Sequence, residues 1–302
     1  MDFPLPRSFI GLMKFTRRSA LAGGAAALAA ATLEHRILAA DQAAGGKGRI
    51  HHSVCKWCYP KVPIEDLCVF AKANGLTSID LLGPADWPVI AKHGLTCAMA
   101  SNPTIDGLGG ISKAFNRLEH HDQLVKAYEE YIPLAAQAGL KHVICFSGNR
   151  DKMDDETGLR NCATGLQRLL PTCERHGILL VMELLNSRVD HRDYMCDKSA
   201  WGVALCQAVG SERFKLLYDI YHMQIMEGDV IATIRRHHGY FAHYHTGGVP
   251  GRNEIDESQE LNYPAIMRAI VDTKFTGHVA QEFIPKREPL VSLKQAIGIC
   301  DV

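Results

Sequence analysis

This chain carries no excess charge of either sign. Its 33 Lys and Arg balance 33 Asp and Glu, so it lacks the basic footprint of a nucleic-acid binder. Ten cysteines in 302 residues are too dilute for a disulfide scaffold. Cys68, Cys145 and Cys206 sit in apolar runs and read as buried free thiols. No G-x-G-x-x-G follows the first strand candidate, which argues against a dinucleotide site, and no G-x-S-x-G offers a nucleophile elbow. The Ala/Gly/Leu stretch Ala20–Leu33 is too short to span a bilayer as a helix, so no stable membrane span is expected. The chain beyond residue 47 has no low-complexity segment and no solenoid repeat.

What is there begins with a processing signal. Lys14, Arg17 and Arg18 precede the Ala/Gly/Leu stretch, and Thr16-Arg17-Arg18-Ser19 resembles the twin-arginine export signal. A small-residue cleavage region falls near Ala39-Ala40, and Ala43–Gly48 reads as a flexible linker. Residues 1–47 are therefore expected to direct export, with a periplasmic destination. An uncleaved N-terminal helix is the plainer alternative, and it would leave the protein cytoplasmic.

From Arg49 the chain alternates. Short apolar runs at Ile50–Cys55, Ser78–Leu82, Leu95–Ala100, His142–Phe146, Ile178–Leu185, Phe214–Asp219, Phe241–His245 and Gly277–Phe283 read as strands. Segments of helical spacing separate them, several closed by glycine, as at Gly139, Gly177 and Gly210. Eight strand–helix pairs over roughly 250 residues predict a (β/α)₈ TIM barrel in a single domain spanning 48–302. A doubly wound open sheet is the alternative, and the missing phosphate-binding turn counts against it.

Barrel enzymes place their chemistry at the C-terminal ends of the strands. Four successive runs end in side chains able to bind a metal. ILLVMELLN offers Glu183, FKLLYDIYHMQ offers Asp219, FAHYHTGG offers His245 and GHVAQEF offers Glu282. Alone, Asp219 reads as a cap for the next helix. Together, three carboxylates and one imidazole form a set suited to Mn²⁺ or Mg²⁺, with Co²⁺ and Zn²⁺ also compatible.

The same stretches, with HYHTGGVPGRNE, resemble the hydroxypyruvate isomerase branch of the xylose isomerase-like barrels, a superfamily that includes ketose 3-epimerases. The resemblance covers the chain from about Arg49 to its end. It implies one divalent cation held by Glu183, Asp219, His245 and Glu282, with Glu183 and Glu282 as the acid/base pair. It also implies substrate contacts from His222 and Arg252. The expected reaction is isomerisation through an enediolate, interconverting hydroxypyruvate and 2-hydroxy-3-oxopropanoate. One departure matters, because that branch often carries Gln where His245 stands, and His is nearer the epimerases. Ketose 3-epimerisation or lysis of a 3-keto-glycoside on the same site is therefore a rival reading. A sugar-binding barrel without turnover is a second rival, and the intact glutamate pair argues against it.

Other residues have competing readings. Cys55-Lys56-Trp57-Cys58 is a C-x-x-C that could be redox-active or half a zinc site; no second C-x-x-C accompanies it, and the favoured reading is that Trp57 and its neighbours wall a substrate pocket. His243 shares a strand face with His245 and is a candidate to touch substrate or support its neighbour. Arg252, delivered by the loop Gly247–Gly251, offers a fork for a carboxylate, or a rim ion pair with Glu254 or Asp256. Asn186 and Arg188 are candidate pocket donors, and Glu260 reads equally as ligand or helix-start carboxylate. The expected partner is a small keto acid or keto sugar. A homo-oligomer is compatible with the sequence.

Overall fold

The computed structural model of the chain describes residues 48–103 and 105–302. The twin-arginine-like motif and the cleavage region lie outside the described residues. The elements in order are β1 (His51–Val54), α1 (Ile64–Ala73), α2 (Trp87–Lys92), α3 (His121–Gln137), β2 (His142–Cys145), α4 (Asp155–His176), β3 (Leu179–Glu183), α5 (Ser199–Val209), β4 (Phe214–Asp219), α6 (Ile220–Met226), α7 (Val230–His237), β5 (Phe241–Thr246), α8 (Tyr263–Asp272), β6 (His278–Gln281) and α9 (Pro289–Cys300). Six strands form one sheet in the order β1-β6-β5-β4-β3-β2, and every pair is parallel.

Parallel strands joined by helices are buried on both faces, which explains their near-continuous apolar sequence. Leu180, Val181, Leu216, Leu217 and Val279 are all fully buried. The helix ends follow local chemistry. The Asp154 carboxylate accepts the Thr157 N–H at 2.8 Å to start α4, and Gly177 closes that helix in the left-handed region at φ 67°. Glu288 caps α9 in the same way as Asp154, accepting from Val291 N at 2.7 Å.

Two expected strands differ. Segments 78–82 and 95–100 make only isolated parallel bridges, Cys55 to Asp80, Ser78 to Thr96, Leu82 to Ala100 and Ala100 to Val143. The physical reason is local. Leu81 adopts φ 59°, which breaks the extended run. The Ala98 N–H donates to Ser78 Oγ at 2.7 Å instead of to a strand carbonyl. The bridges still place both segments between β1 and β2. A short helix, α6, follows β4 directly where no helix was expected. No helix among the described residues is long and apolar enough to cross a membrane.

Candidate active site

The sheet delivers its polar side chains to one end. Glu183 ends β3, Asp219 ends β4, His245 is the penultimate residue of β5 and Glu282 follows β6. One ligand atom from each lies within 4.8 Å of the others. All four residues are buried, with Asp219 and His245 at 0% exposure. His245 Nδ1 lies 2.8 Å from Glu282 Oε2 and 3.3 Å from Glu183 Oε1.

Asp219 serves two purposes at once. Its Oδ1 accepts the His222 N–H at 3.1 Å and so caps α6, while Oδ2 faces Arg252 at 3.4 Å. The helix-cap reading and the ligand reading of this residue therefore use different oxygens.

Arg252 reaches this group from a tight loop. Gly248 N donates to Asn253 O at 2.9 Å, Arg252 N donates to Gly248 O at 2.8 Å, and Arg252 itself adopts φ 57°. Its Nη2 donates to Glu282 Oε2 at 2.5 Å. The guanidinium lies between Trp57 and Tyr221, at 5.1 and 5.3 Å from the ring centroids. The rim pairing with Glu254 or Asp256 does not form, because Glu254 and Asp256 pair with Arg287 instead. Trp57 Nε1 donates to Glu282 Oε1 at 2.7 Å.

The electrostatics separate the two glutamates. Burial pushes Glu183 upward from the ordinary carboxylate range. Burial also pushes on Glu282, but His245 and Arg252 outweigh it and hold Glu282 well below that range. Burial dominates at Asp219, which is raised well above its usual value. Three carboxylates converge on one guanidinium and one imidazole, an excess of acidic groups that a divalent cation would balance. Glu183 Oε1 is buried without a hydrogen-bond donor, a costly state that a ligated cation would relieve. The residues thus fit a metal site of hard-ligand type.

The remaining candidates sort by contact. His222 is fully buried, and its Nδ1 accepts from Asn186 Nδ2 at 2.7 Å. Asn186 Nδ2 also donates to Asp190 Oδ2 at 2.6 Å. His191 packs on the His222 ring at 5.3 Å. A cavity of about 580 Å³ is lined by Asn102, Ser112, Phe146, Asn149, Asp190 and His191, among others, and so opens beside His222. His243 is fully buried, with Nε2 2.6 Å from Asp80 Oδ2, which places it in the layer beneath the four-residue group. Arg188 donates to Ile225 O at 2.7 Å, and Glu260 accepts from Gln224 at 3.0 Å, so both make contacts outside the group. All ten cysteines are free and buried, Cys55 and Cys58 included.

Asp80 is the residue that sequence reading missed. It sits mid-run in Ser78-Ile79-Asp80-Leu81-Leu82, a carboxylate among apolar residues like the four that were found.

Comparison with known proteins bears on the family and the fold. A 2-oxo-tetronate isomerase from Cupriavidus necator is 34% identical over 110 residues, 36% of this chain and 42% of that protein. A human protein named "Putative hydroxypyruvate isomerase" is 31% identical over 113 residues, 37% of this chain and 41% of its own. The matched stretch therefore spans about two fifths of either relative's length. The crystal structure titled AP endonuclease, family 2, from Brucella melitensis superposes with a TM-score of 0.70 at 24% identity, covering 81% of this chain and 96% of that one. The family model described as "Xylose isomerase-like TIM barrel" matches residues 89–298, and the chain belongs to that family.

Proposed function

We propose that the protein is a divalent-metal-dependent isomerase of a short 3-hydroxy-2-oxo acid, with hydroxypyruvate and 2-oxo-tetronate as the nearest substrates. The observation that carries this reading is the convergence of Glu183, Asp219, His245 and Glu282 from four successive strands. The printed names of the relatives support the substrate class, since both compounds pair a 2-oxo acid with a hydroxyl on the next carbon. The parallel bridges at 78–82 and 96–100 support counting those segments as the two further strands of an eight-fold barrel.

Moving a carbonyl between adjacent carbons requires removal of a proton beside it and stabilisation of the enediolate that results. A bound divalent cation, Mn²⁺ or Mg²⁺ in preference, supplies Lewis-acid stabilisation of the negative oxygen. The chain's own residues divide the rest. Glu183 takes the proton from C3 on the carboxylate oxygen that a cation would leave free, because its burial raises its basicity. Glu282 is held by Trp57, His245 and Arg252, so it is the weaker base; Glu183 returns its proton to C2 while Glu282 carries the hydroxyl proton from one substrate oxygen to the other, and both carboxylates end as they began. His222 and Trp57 bound the substrate space, with the cavity beside His222 as its approach.

A second reading is favoured by one observation. The Arg252 guanidinium is committed to Glu282 and Asp219, which leaves it less available to a substrate carboxylate and suits epimerisation of a neutral keto sugar. The deciding experiment incubates the metal-loaded protein in deuterated water with hydroxypyruvate, 2-oxo-tetronate and a panel of keto sugars. The proposal expects one ion per chain and deuterium at the carbon next to the carbonyl of an acid. It also expects Glu183→Gln to lose ~10²–10⁴-fold in rate. Turnover of neutral sugars alone would select the second reading. Full metal retention in both Asp219→Ala and His245→Ala would remove the metal site from either.

A further inference from the structure

Beneath the four-residue group lies a second polar layer that the proposed reaction does not use. Asp80 is fully buried, and its Oδ1 accepts hydrogen bonds from Ser53 Oγ at 2.6 Å and Ser78 Oγ at 2.9 Å. The direction of the second bond is fixed. Ser78 Oγ already receives the Ala98 N–H at 2.7 Å, so its own proton points to Asp80. A carboxyl oxygen receiving two hydroxyl donors is set as a carboxylate acceptor. The other oxygen, Oδ2, lies 2.6 Å from His243 Nε2 and 3.9 Å from His245 Nε2.

His245 is therefore flanked on both sides. Nδ1 faces Glu183 and Glu282, and Nε2 faces Asp80 and the Cys55 thiol, the latter at 3.7 Å. Four side chains sit close to a ring that could ligate through either nitrogen, and only the Nδ1 side presents the other three ligands. We infer that Asp80 is a positioning residue for His245. Its buried carboxylate, braced by Ser53 and Ser78, keeps the imidazole proton on Nε2 and presents the Nδ1 lone pair to a divalent cation. At 3.9 Å Asp80 acts on Nε2–H as a nearby charge and not as a hydrogen-bond acceptor, and a carboxylate on the far side of a ligating histidine fixes its tautomer and makes it a stronger donor to the metal. The bracing has a further consequence. Asp80 cannot turn away from His245 without breaking both hydroxyl bonds, and its charge on the far side of the ring favours the tautomer with the proton on Nε2 over the one that would direct a proton into the site.

This inference rests on the metal-site reading above, and the experiment separates the two. Metal-free wild type, Asp80→Asn and Ser53→Ala are titrated with Co²⁺ and Mn²⁺ in competition with a chromogenic chelator. The visible spectrum of each Co²⁺ form and the melting temperature of each metal-free form are recorded alongside. The inference expects Asp80→Asn to bind both ions about 10–100-fold more weakly, with an altered Co²⁺ spectrum. Ser53→Ala, which removes one brace, should weaken binding in the same direction by a smaller factor. A purely structural role for Asp80 through His243 would lower the melting temperature and leave the dissociation constants and spectrum of the folded protein unchanged, and that result overturns the inference. If Asp80→Asn does not fold, Ser53→Ala decides: wild-type affinity and spectrum in that variant overturn the inference, and reduced affinity supports it. Absence of cation binding in wild type would instead remove the site itself.

Discussion

Asn186 decides which ring nitrogen of His222 carries the proton. Its Oδ1 accepts the Val189 and Asp190 N–H groups, each at 2.9 Å, so its amide cannot flip. Nδ2 is left to donate to His222 Nδ1, which must then be an acceptor. The proton sits on Nε2, a buried atom that makes no hydrogen bond and lies 3.7 Å from Asp219 Oδ2, and burial keeps the ring neutral by lowering its pKa well below the usual value. His222 is thus a hydrogen-bond donor aimed at the site and not a base. Replacing Asn186 with Leu frees the tautomer while keeping similar bulk. A lost, correctly directed donor costs about 1–2 kcal/mol, or about one decade in kcat/KM. Metal content should be unchanged, and nitrogen chemical shifts of His222 should report a mixed tautomer. A rise in kcat/KM would mean that Nε2 takes a proton. The sequence shows Glu183, Asp219, His245 and Glu282 because each interrupts an apolar run at its end, where burial of charge demands an explanation. Asp80 carries the same mark, but its meaning depends on His243, which is 163 positions away and has no spacing rule to reveal it.

The loop between β5 and α8 is the element on which the site's arginine depends. Gly248 lies where an added Cβ would meet Glu254 O at 2.2 Å and Asn253 O at 2.9 Å. Those atoms are backbone, so they cannot swing aside as a side-chain tip would. Gly248→Ala must therefore open the Gly248–Asn253 bridge and displace Arg252 from Glu282 and Asp219. The loop lies outside the sheet, so its distortion should shift the melting temperature by under about 4 °C. Loss of the Arg252 contacts should lower kcat/KM by about one to two decades. Parallel kinetics and thermal melts of wild type and Gly248→Ala check this, and wild-type kinetics would show that Arg252 is not held by the loop. At this scale the sequence is a good guide where strands are apolar throughout. Five of the six strands fall within the predicted segments, and β5 runs one residue past its own, to Thr246. It is a poor guide at 78–82 and 95–100, where a positive φ at Leu81 and a serine side chain standing in for a strand carbonyl are tertiary choices that periodicity does not encode. The helix α6 is started by the Asp219 carboxylate, the cap its position at the strand end suggests, but its seven residues are too short to show a helical period.

Taken as a whole, the molecule separates two kinds of buried polarity by the ends of its strands. The C-terminal ends carry the carboxylates, and the N-terminal ends carry histidines: His52 is the second residue of β1, His142 opens β2 and His278 opens β6. Burial lowers each of these three from 6.5 to about 4. His52 is the clearest case, being 6% exposed with neither ring nitrogen hydrogen-bonded. Around it, Asp301 favours the charged form and His51 opposes it, and neither outweighs burial. His142 lies near His243 and Asp80, and His278 near those two and His51, so the histidines at this end also repel one another's protonation. The folded protein therefore holds a neutral His52 over the whole range from about 4 to 6.5, where the unfolded chain takes up a proton. Stability rises with pH wherever the unfolded state binds more protons. The contribution of His52 is thus undiminished above pH 6.5 and is lost as pH falls toward 4. His52→Leu removes that titration and leaves the carboxylate site untouched. We predict that the stability of His52→Leu relative to wild type, measured by urea denaturation from pH 7 downward, grows as the medium is acidified. The slope should approach but not exceed about 1.4 kcal/mol per pH unit, for a total of ~2–3 kcal/mol near pH 4. Subtracting the two proteins cancels the carboxylates at the opposite end, which titrate identically in both. A difference that stays flat from pH 7 to 4.5 would show that His52 is protonated in the fold, with Asp301 as its partner.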